Sequence, residues 1–457
     1  MPPNIICILI DDLGWKDLGC YGSSFYETPH LDQLASEGMV FSDAYASCPV
    51  CSPTRASLMT GKYPATVGIT AHIGGHNVGQ LCDVPYFTRL PDSEYTIAEA
   101  LRERGGYQTW HVGKWHLGEP SPPEKCGFDI NIGGCKWGMP NHGYFSPWKI
   151  PNMEDGPDGE YLTDYLNQRA VELVENSGDQ PFFLNYWPYA VHTPIQAPEH
   201  LVAKYQKKAA GMGLDQLDAL EEGEEMPTLK FRGQRIIRRR IQSDPVYAAM
   251  VENLDTNIGK LLQAVERCGK SDNTLVVFTS DNGGVSTHDS SPTCNAPLHE
   301  GKGWMYEGGT REPLIVRWPA VIPAGSRNSS VMTTPDLYPT FLEAAGIPPI
   351  PAQHVDGKSL LPSLRGQAFD RGPVFWHYPH YSNLGGRPGA SIREGDWKLI
   401  EFFEDGHLEL YNLAEDLSES KNLAETNPDR TRSLHGKLLA WREQVMALMP
   451  ARNPHWR

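Results

Sequence analysis

Four short apolar runs end in side chains that could do chemistry. Ile5-Ile6-Cys7-Ile8-Leu9-Ile10 ends in Asp11-Asp12, and Leu275-Val276-Val277-Phe278-Thr279 ends in Asp281-Asn282. The stretch from Tyr107 to Val112 runs into Lys114 and His116, and Phe182-Phe183-Leu184-Asn185-Tyr186-Trp187 is followed by His192. Adjacent carboxylates at a buried strand end repel each other unless a cation or a proton intervenes. Asp11, Asp12, Asp281 and Asn282 present only oxygen donors, which suits a hard cation such as Ca²⁺ or Mg²⁺ rather than zinc. Either pair alone reads as a turn or a cap. Both pairs together, at equivalent strand ends, favour a metal site.

A second group of residues is suited to an anion. In Cys51-Ser52-Pro53-Thr54-Arg55 through Gly61-Lys62, Pro53 fits the first turn of a helix and Gly61 its end. Cys51 is then placed at a helix N-terminus, where free N–H groups and the dipole favour negative charge. Arg55 lies one turn further on, near Cys51. Residue chemistry alone supports only a reactive, anion-facing cysteine here, against a structural thiol before a short helix. Lys114 and His116, in Gly113-Lys114-Trp115-His116-Leu117-Gly118, would project to one side of an extended chain. His192 and Lys302 complete the set. Singly, each is an ordinary core or surface residue. Jointly, two lysines, an arginine and two histidines beside an oxygen-ligated cation suit a tetrahedral oxyanion.

The elements that must position these groups alternate. Runs that are apolar throughout fit strands buried on both faces of a parallel sheet. Helical spacing lies between them, from Thr96 to Arg104 after a cap region at Asp92/Ser93, and from Asp244 to Cys268. The expected fold class is therefore α/β, a large mixed, mostly parallel sheet sandwiched by helices, with ligands beyond the carboxyl ends of the strands. Residues 1–370 form the expected catalytic domain, with an insertion at about 205–243 read as a solvated, helix-rich excursion with internal ion pairs. Residues 371–457 read as a small antiparallel α+β domain: strands at Ala390–Arg393, Trp397–Ile400 and His407–Tyr411, then a helix over about Asp429–Met446.

With 457 residues and 40% hydrophobic content, the chain can bury a large core. Its net charge of −16 argues against nucleic acid and anionic membranes as partners. No apolar run is long enough to span a bilayer. The nine cysteines show neither zinc-ribbon nor disulfide-framework spacing, and Cys7 reads as a buried small hydrophobe. With no signal peptide visible ahead of Ile5, a cytoplasmic location is the expectation.

These segments, in this order, resemble the sulfatase family of the alkaline phosphatase superfamily. Cys51-x-Pro53-x-Arg55 with Leu58-Met59-Thr60-Gly61-Lys62 is similar to the first sulfatase signature, Lys62 standing where many relatives carry arginine. Gly106-Tyr107-Gln108-Thr109 through Gly118 is similar to the second signature, and Asp11-Asp12, Ser280-Asp281-Asn282-Gly283-Gly284 and Gly301-Lys302-Gly303 to Arg311-Glu312-Pro313 also match. Ala390 to Lys398 resembles the closing domain of bacterial carbohydrate and aryl sulfatases. The resemblance implies an alkaline-phosphatase-like sheet, and a Cα-formylglycine made from Cys51 by a formylglycine-generating maturation enzyme. It implies Ca²⁺, with Mg²⁺ second, held by Asp11, Asp12, Asp281, Asn282 and residue 51. In the roles it implies, Arg55 activates the nucleophile, which attacks sulfur in line. Lys114 and Lys302 hold sulfate oxygens, His192 protonates the leaving alcohol, and His116 takes the proton that drives sulfate release. The implied substrate is a sulfated carbohydrate or an aryl or steroid sulfate. Phosphonate monoester or phosphodiester hydrolysis and sulfamate hydrolysis are rival activities, and a non-enzymatic sulfoglycan-binding protein is the rival of another class. Expected specificity residues are His72, His76, Trp137, His142, Tyr144, His380 and Arg387, the last facing a second anionic group.

Overall fold

The computed structural model describes residues 2–288 and 290–456. Among these residues fifteen strands are numbered in chain order. They are β1 (Asn4–Ile10), β2 (Met39–Tyr45), β3 (Gln108–Gly113), β4 (Ile130–Ile132), β5 (Phe182–Trp187), β6 (Leu220–Glu225), β7 (Arg235–Arg239) and β8 (Thr274–Ser280). The rest are β9 (Arg311–Arg317), β10 (Ser326–Asn328), β11 (Met332–Thr333), β12 (Val374–Tyr378), β13 (Gly389–Glu394), β14 (Trp397–Phe402) and β15 (Leu408–Asn412).

Nine strands build the main sheet in the order β10-β2-β9-β8-β1-β5-β3-β4, with β11 beside β2. β9 alone runs against its neighbours β2 and β8; the other pairings are parallel. The all-apolar reading of β1 is met on both faces. Ile6, Ile8 and Ile10 enter one core, Ile5, Cys7 and Leu9 the other, and all six are fully buried. Each buried Ile or Leu contributes about 1.5–3 kcal/mol, so this strand anchors both layers. The Cys7 thiol is pushed up to about 12 by burial, as expected of an inert packing residue.

The four runs singled out in the sequence are the adjacent parallel strands β8, β1, β5 and β3. Their carboxyl ends therefore lie side by side, and the chemistry carried beyond each end meets at one edge. Because β9 is antiparallel, its amino end lies at that same edge and delivers the preceding Lys302 segment there.

The helix Pro245–Arg267 starts as its sequence suggests, with Asp244 accepting from the N–H groups of Val246 and Tyr247 and Pro245 in the first turn. The helix Ile97–Gly105 corrects the expected cap. Thr96, not Asp92/Ser93, accepts from Glu99 N–H, and the Glu99 carboxylate accepts from Thr96 N–H in return. A reciprocal pair satisfies two end groups at once and outcompetes a looser cap upstream.

The insertion is also corrected. After the helix Glu199–Gly211 it is an antiparallel hairpin of β6 and β7 rather than further helix. The acidic and basic blocks face each other across the two strands, with Arg235–Glu222 at 3.3 Å, Arg238–Glu224 at 2.8 Å and Arg240–Glu221 at 2.5 Å. Opposite charges stabilise such cross-strand pairs. Alternation turns Ile236 inward, where it is fully buried with Met226 and Trp304.

The C-terminal unit is the four-stranded antiparallel sheet β12-β13-β14-β15, covered by the helix Pro428–Gln444. Leu434, Leu438 and Trp441 of that helix pack on Ala390, Ile392, Leu399 and Leu410. The sheet's other face joins the main domain through Tyr45, Cys48, Val50 and Met305. Beneath this joint, Lys398 lies 2.9 Å from Glu307 and 3.0 Å from Glu419, all three side chains buried. No helix among the described residues is long and apolar enough to cross a membrane.

Candidate active site

The helix Cys51–Thr60 begins and ends where Pro53 and Gly61 suggest. Gly61 caps it with φ 69°, donating to Ser57 O at 2.9 Å. Pro53 lies in the first turn, where the N–H it lacks would have no partner within the helix. Every residue of this helix is buried, so Cys51 is held at its amino end by packing on all sides.

The carboxylates converge beside it. Asp11, Asp281 and Asn282 are fully buried, Asp12 nearly so. Asn282 donates to Asp12 at 2.8 Å, while its side-chain oxygen is buried without a hydrogen-bond partner. Donor atoms of Asp11, Asp12 and His192 lie within 4.8 Å of one another. Three carboxylates with an unpartnered amide oxygen fit a hard cation, since an oxygen buried with nothing to accept from is costly unless a ligand meets it.

The cations interleave with these acids. Lys114 is fully buried and donates to both carboxylate oxygens of Asp11 at 2.8 Å. Arg55 lies 2.8 Å from Asp281 and 3.4 Å from Asp11, donates to Lys114 O at 2.9 Å, and stacks over the Trp187 ring. Lys302 donates to Asp12 at 2.7 Å. Burial alone would raise the Asp12 carboxyl, but Lys302, with His192 and Lys114, holds it below the ordinary carboxylate range.

His116 Nδ1 is 3.3 Å from Cys51 Sγ. Burial, then Lys114, keeps its imidazole well below the ordinary range, so the ring is neutral. His192 is likewise lowered to about 3, by burial first, against the pull of Asp12 at 3.5 Å. Lys114 and His116 do not reach the site by strand alternation, which is a correction. β3 stops at Gly113, and His116 adopts φ 57° in the loop beyond.

These groups floor a cavity of about 970 Å³. Cys51, His116, His192 and Lys302 line it, while Lys114 and Arg55 sit beneath. Among the expected specificity residues, only His72 is part of the described lining. Burial, then His116, lowers its imidazole to about 3. Trp137 and His142 lie tilted against each other at 6.0 Å, flanking the wall segment Gly138-Met139-Pro140-Asn141. Tyr144 is fully buried and spends its hydroxyl on Tyr189 O and His192 O, at 2.7 and 2.8 Å, so it positions the His192 loop. His76 pairs with Asp83 at 2.6 Å, its side chain largely exposed. His380 is buried between Asp83 and Thr70, and Arg387 is paired with Glu404. These last three reach carboxylate partners outside the lining. The walls are instead completed by Asn141, Thr193, Asn383 and Leu384, loop residues that no periodic pattern marks.

Comparison with known proteins agrees with this arrangement. The family profile for Sulfatase matches residues 3–347, and that for N-sulphoglucosamine sulphohydrolase, C-terminal, matches residues 299–444. A sulfatase of Formosa agariphila is 32% identical, the match covering 96% of this chain and 88% of that protein. The N-acetylgalactosamine-6-sulfatase of Canis lupus familiaris is 34% identical over 82% of this chain and 68% of its own. Among solved structures, Ps i-CgsB in complex with k-i-k-neocarrahexaose superposes with a TM-score of 0.77 at 30% identity, covering 100% of this chain and 95% of that one.

Proposed function

The chain belongs to the sulfatase family and is a sulfuric ester hydrolase; we propose that it removes sulfate from a sulfated saccharide by way of a Cα-formylglycine made from Cys51. The observation that carries this reading is the position of Cys51. It starts a buried helix, at the floor of the large cavity, with His116 Nδ1 3.3 Å from its sulfur and Lys302 and His192 on the adjoining wall. A maturation enzyme would supply the oxidation. The saccharide part is supported by the size of the cavity, by its amide and hydroxyl walls, and by two relatives, one an N-acetylgalactosamine-6-sulfatase and the other solved in complex with k-i-k-neocarrahexaose.

Asp11, Asp12, Asp281 and Asn282, with residue 51, would hold Ca²⁺, Mg²⁺ being the second choice because these buried side chains leave little room for its waters. When bound, the cation would draw charge from sulfate oxygens and make a residue 51 hydroxyl easier to ionise. The protein's own residues do the rest. Lys302 offers an ammonium to the sulfate from the cavity wall, and Lys114 and Arg55 add positive potential from below. His116, neutral and facing residue 51, can accept a proton there. His192, which lines the cavity, donates from Nδ1 to Thr193 O at 2.9 Å, which leaves Nε2, 3.5 Å from Asp12, as its nitrogen for proton transfer. A sulfate ester beside it offsets Lys302 and Lys114, raises its affinity for a proton, and lets Nε2 protonate the departing alcohol oxygen.

The test is to produce the chain with a formylglycine-generating enzyme, quantify conversion at residue 51 by mass spectrometry, and compare an aryl sulfate, an aryl phosphonate and a panel of sulfated saccharides. Activity should track conversion, and the sulfate should turn over faster than the phosphonate. Full activity with an intact thiol would refute the formylglycine, faster phosphonate turnover the reaction class. Turnover of the aryl sulfate with no saccharide cleaved would refute the substrate class.

A further inference from the structure

We infer that Ser52, the residue after the nucleophile position, is a positioning residue: through the backbone of Ile73 it fixes the His116 tautomer that leaves Nδ1 free to act on residue 51. The inference rests on the proposed function of Cys51 and His116 and adds what sets the ring's orientation. Three contacts form one chain. Ile73 N–H donates to Ser52 Oγ at 3.0 Å. Ile73 O lies 3.1 Å from His116 Nε2, and His116 Nδ1 lies 3.3 Å from Cys51 Sγ. A backbone carbonyl can only accept, so Nε2 carries the hydrogen and the lone pair of the neutral ring resides on Nδ1. That is the nitrogen facing residue 51.

The chain is closed on itself. Ser52 and Cys51 are consecutive in one buried helix, so the group that anchors Ile73 moves rigidly with the atom His116 must serve. The loop between is stiff. Tyr86 donates its hydroxyl to Gly75 O at 2.5 Å and to His72 O at 3.3 Å, and Gly75 N–H donates to His72 O at 2.9 Å. With the His72 carbonyl held on one side, the Ser52 oxygen pins the Ile73 N–H on the other; losing it loosens the Ile73 backbone dihedrals, so that the next peptide unit, which carries Ile73 O, can shift away from Nε2. The Ser52 hydroxyl is fully buried outside the cavity lining and accepts from Ile73, so it positions rather than reacts.

The experiment has two arms. In the first, unconverted chain is labelled with ¹⁵N-histidine, and the His116 ring signals, identified by their loss in His116→Ala, report the tautomer without any need for activity. The parent should show the Nε2–H form, and Ser52→Ala a mixture with the Nδ1–H form. In the second, kcat is measured per converted residue 51. Ser52→Ala should lower kcat about tenfold with KM changed by less than about threefold, an interaction confined to the reacting state. Added to His116→Ala, it should cost nothing more, because it acts through that ring. An Nδ1–H form in the parent, an unchanged tautomer in Ser52→Ala, or a tenfold loss that persists without His116 would each overturn the inference. Because the first arm uses the thiol form, a failed sulfatase reading would not mask its result.

Discussion

Gly138 is the position where one methyl group should do most damage to the reaction with least damage to the fold. A Cβ built there would stand 2.5 Å from His116 Cε1, 2.8 Å from Nε2 and 3.0 Å from Nδ1. Ordinary contact begins near 3.4 Å, so the ring must retreat by about 0.9 Å. It has nowhere neutral to go. One edge is held by Ile73 O at 3.1 Å and the other by residue 51 at 3.3 Å. Misplacement of a catalytic group by about 1 Å costs on the order of 10²-fold, or about 2.7 kcal/mol of transition-state stabilisation. Gly138→Ala should therefore lower kcat about 10²-fold per converted site on an aryl sulfate. Its thermal midpoint should stay within a few degrees, since Gly138 is partly exposed on the cavity wall. The assay pairs it with His116→Ala. If the methyl acts by displacing the ring, the double variant is no slower than His116→Ala alone. A Gly138→Ala enzyme within about threefold of the parent would show that the ring does not need this position. A double variant another 10²-fold slower would show that the methyl blocks substrate instead.

Four further outcomes follow from named contacts. Lys398→Met removes the cation beside the buried Glu419 while Glu307 keeps Arg311 at 2.6 Å, so chemical denaturation should show a loss of about 3 kcal/mol; a loss under about 1 kcal/mol would mean that the joint beneath the C-terminal sheet is held by its apolar contacts alone. Asp255 accepts from Leu31 N–H and His30 N–H, yet burial raises its carboxyl to about 7. The folded state then keeps a proton that the unfolded chain releases near pH 4, so stability should fall between about pH 4 and pH 7 by an amount of order a few kcal/mol; Asp255→Asn should flatten that slope, and an unaltered slope would remove Asp255 as its source. Arg387 is engaged by Glu404, so Arg387→Ala should change kcat/KM equally for neutral and carboxylated saccharide sulfates, and a selective loss on the carboxylated one would restore the second-anion role. Added Ca²⁺ should raise the thermal midpoint by a few degrees more than equimolar Mg²⁺, and Asp281→Ala should abolish the difference; equal shifts from both ions would argue against a calcium site.

The parts of this protein that were legible in its sequence are those where one residue type has one physical use. A continuous apolar strand must be buried on both faces, and β1 and β8 are. Pro53 and Gly61 mark the ends of a helix because one lacks an N–H and the other tolerates positive φ. Carboxylates after buried strands have few reasons to be there, so Asp11, Asp12 and Asp281, with the amide of Asn282 beside them, point to one place. The walls were not legible, for a different reason. His76, His380 and Arg387 can contact sugars, but they can equally pair with Asp83 and Glu404, and residue type does not say which partner wins. Tyr144 offers a ring that could face a sugar, but the fold uses its hydroxyl as a donor to two backbone carbonyls. Ile73 acts through its carbonyl, a group common to every residue. The blocks at Glu221–Glu225 and Arg235–Arg240 fit helical ion pairs and cross-strand pairs alike; the inward demand of Ile236 against Trp304 decides for the hairpin.

The charge balance of the site explains how so acidic a chain can receive an anion. The protein as a whole carries −16, and a sulfate ester approaching it meets an unfavourable field. At the floor of the cavity the three carboxylates Asp11, Asp12 and Asp281 are matched by three cations, Lys114, Lys302 and Arg55, at contact distances. Burial keeps His116 and His192 neutral, so the side chains present an even balance rather than a positive hole. A divalent cation held by the oxygen donors would tip that balance to positive at the floor of the cavity. Asp12, which would help hold the cation, is now paired with Lys302 at 2.7 Å, so a cation there would leave that ammonium available to the cavity. Metal binding and anion binding would then be linked through a single side chain. The same acids that would repel sulfate would make its site attractive once a cation is held.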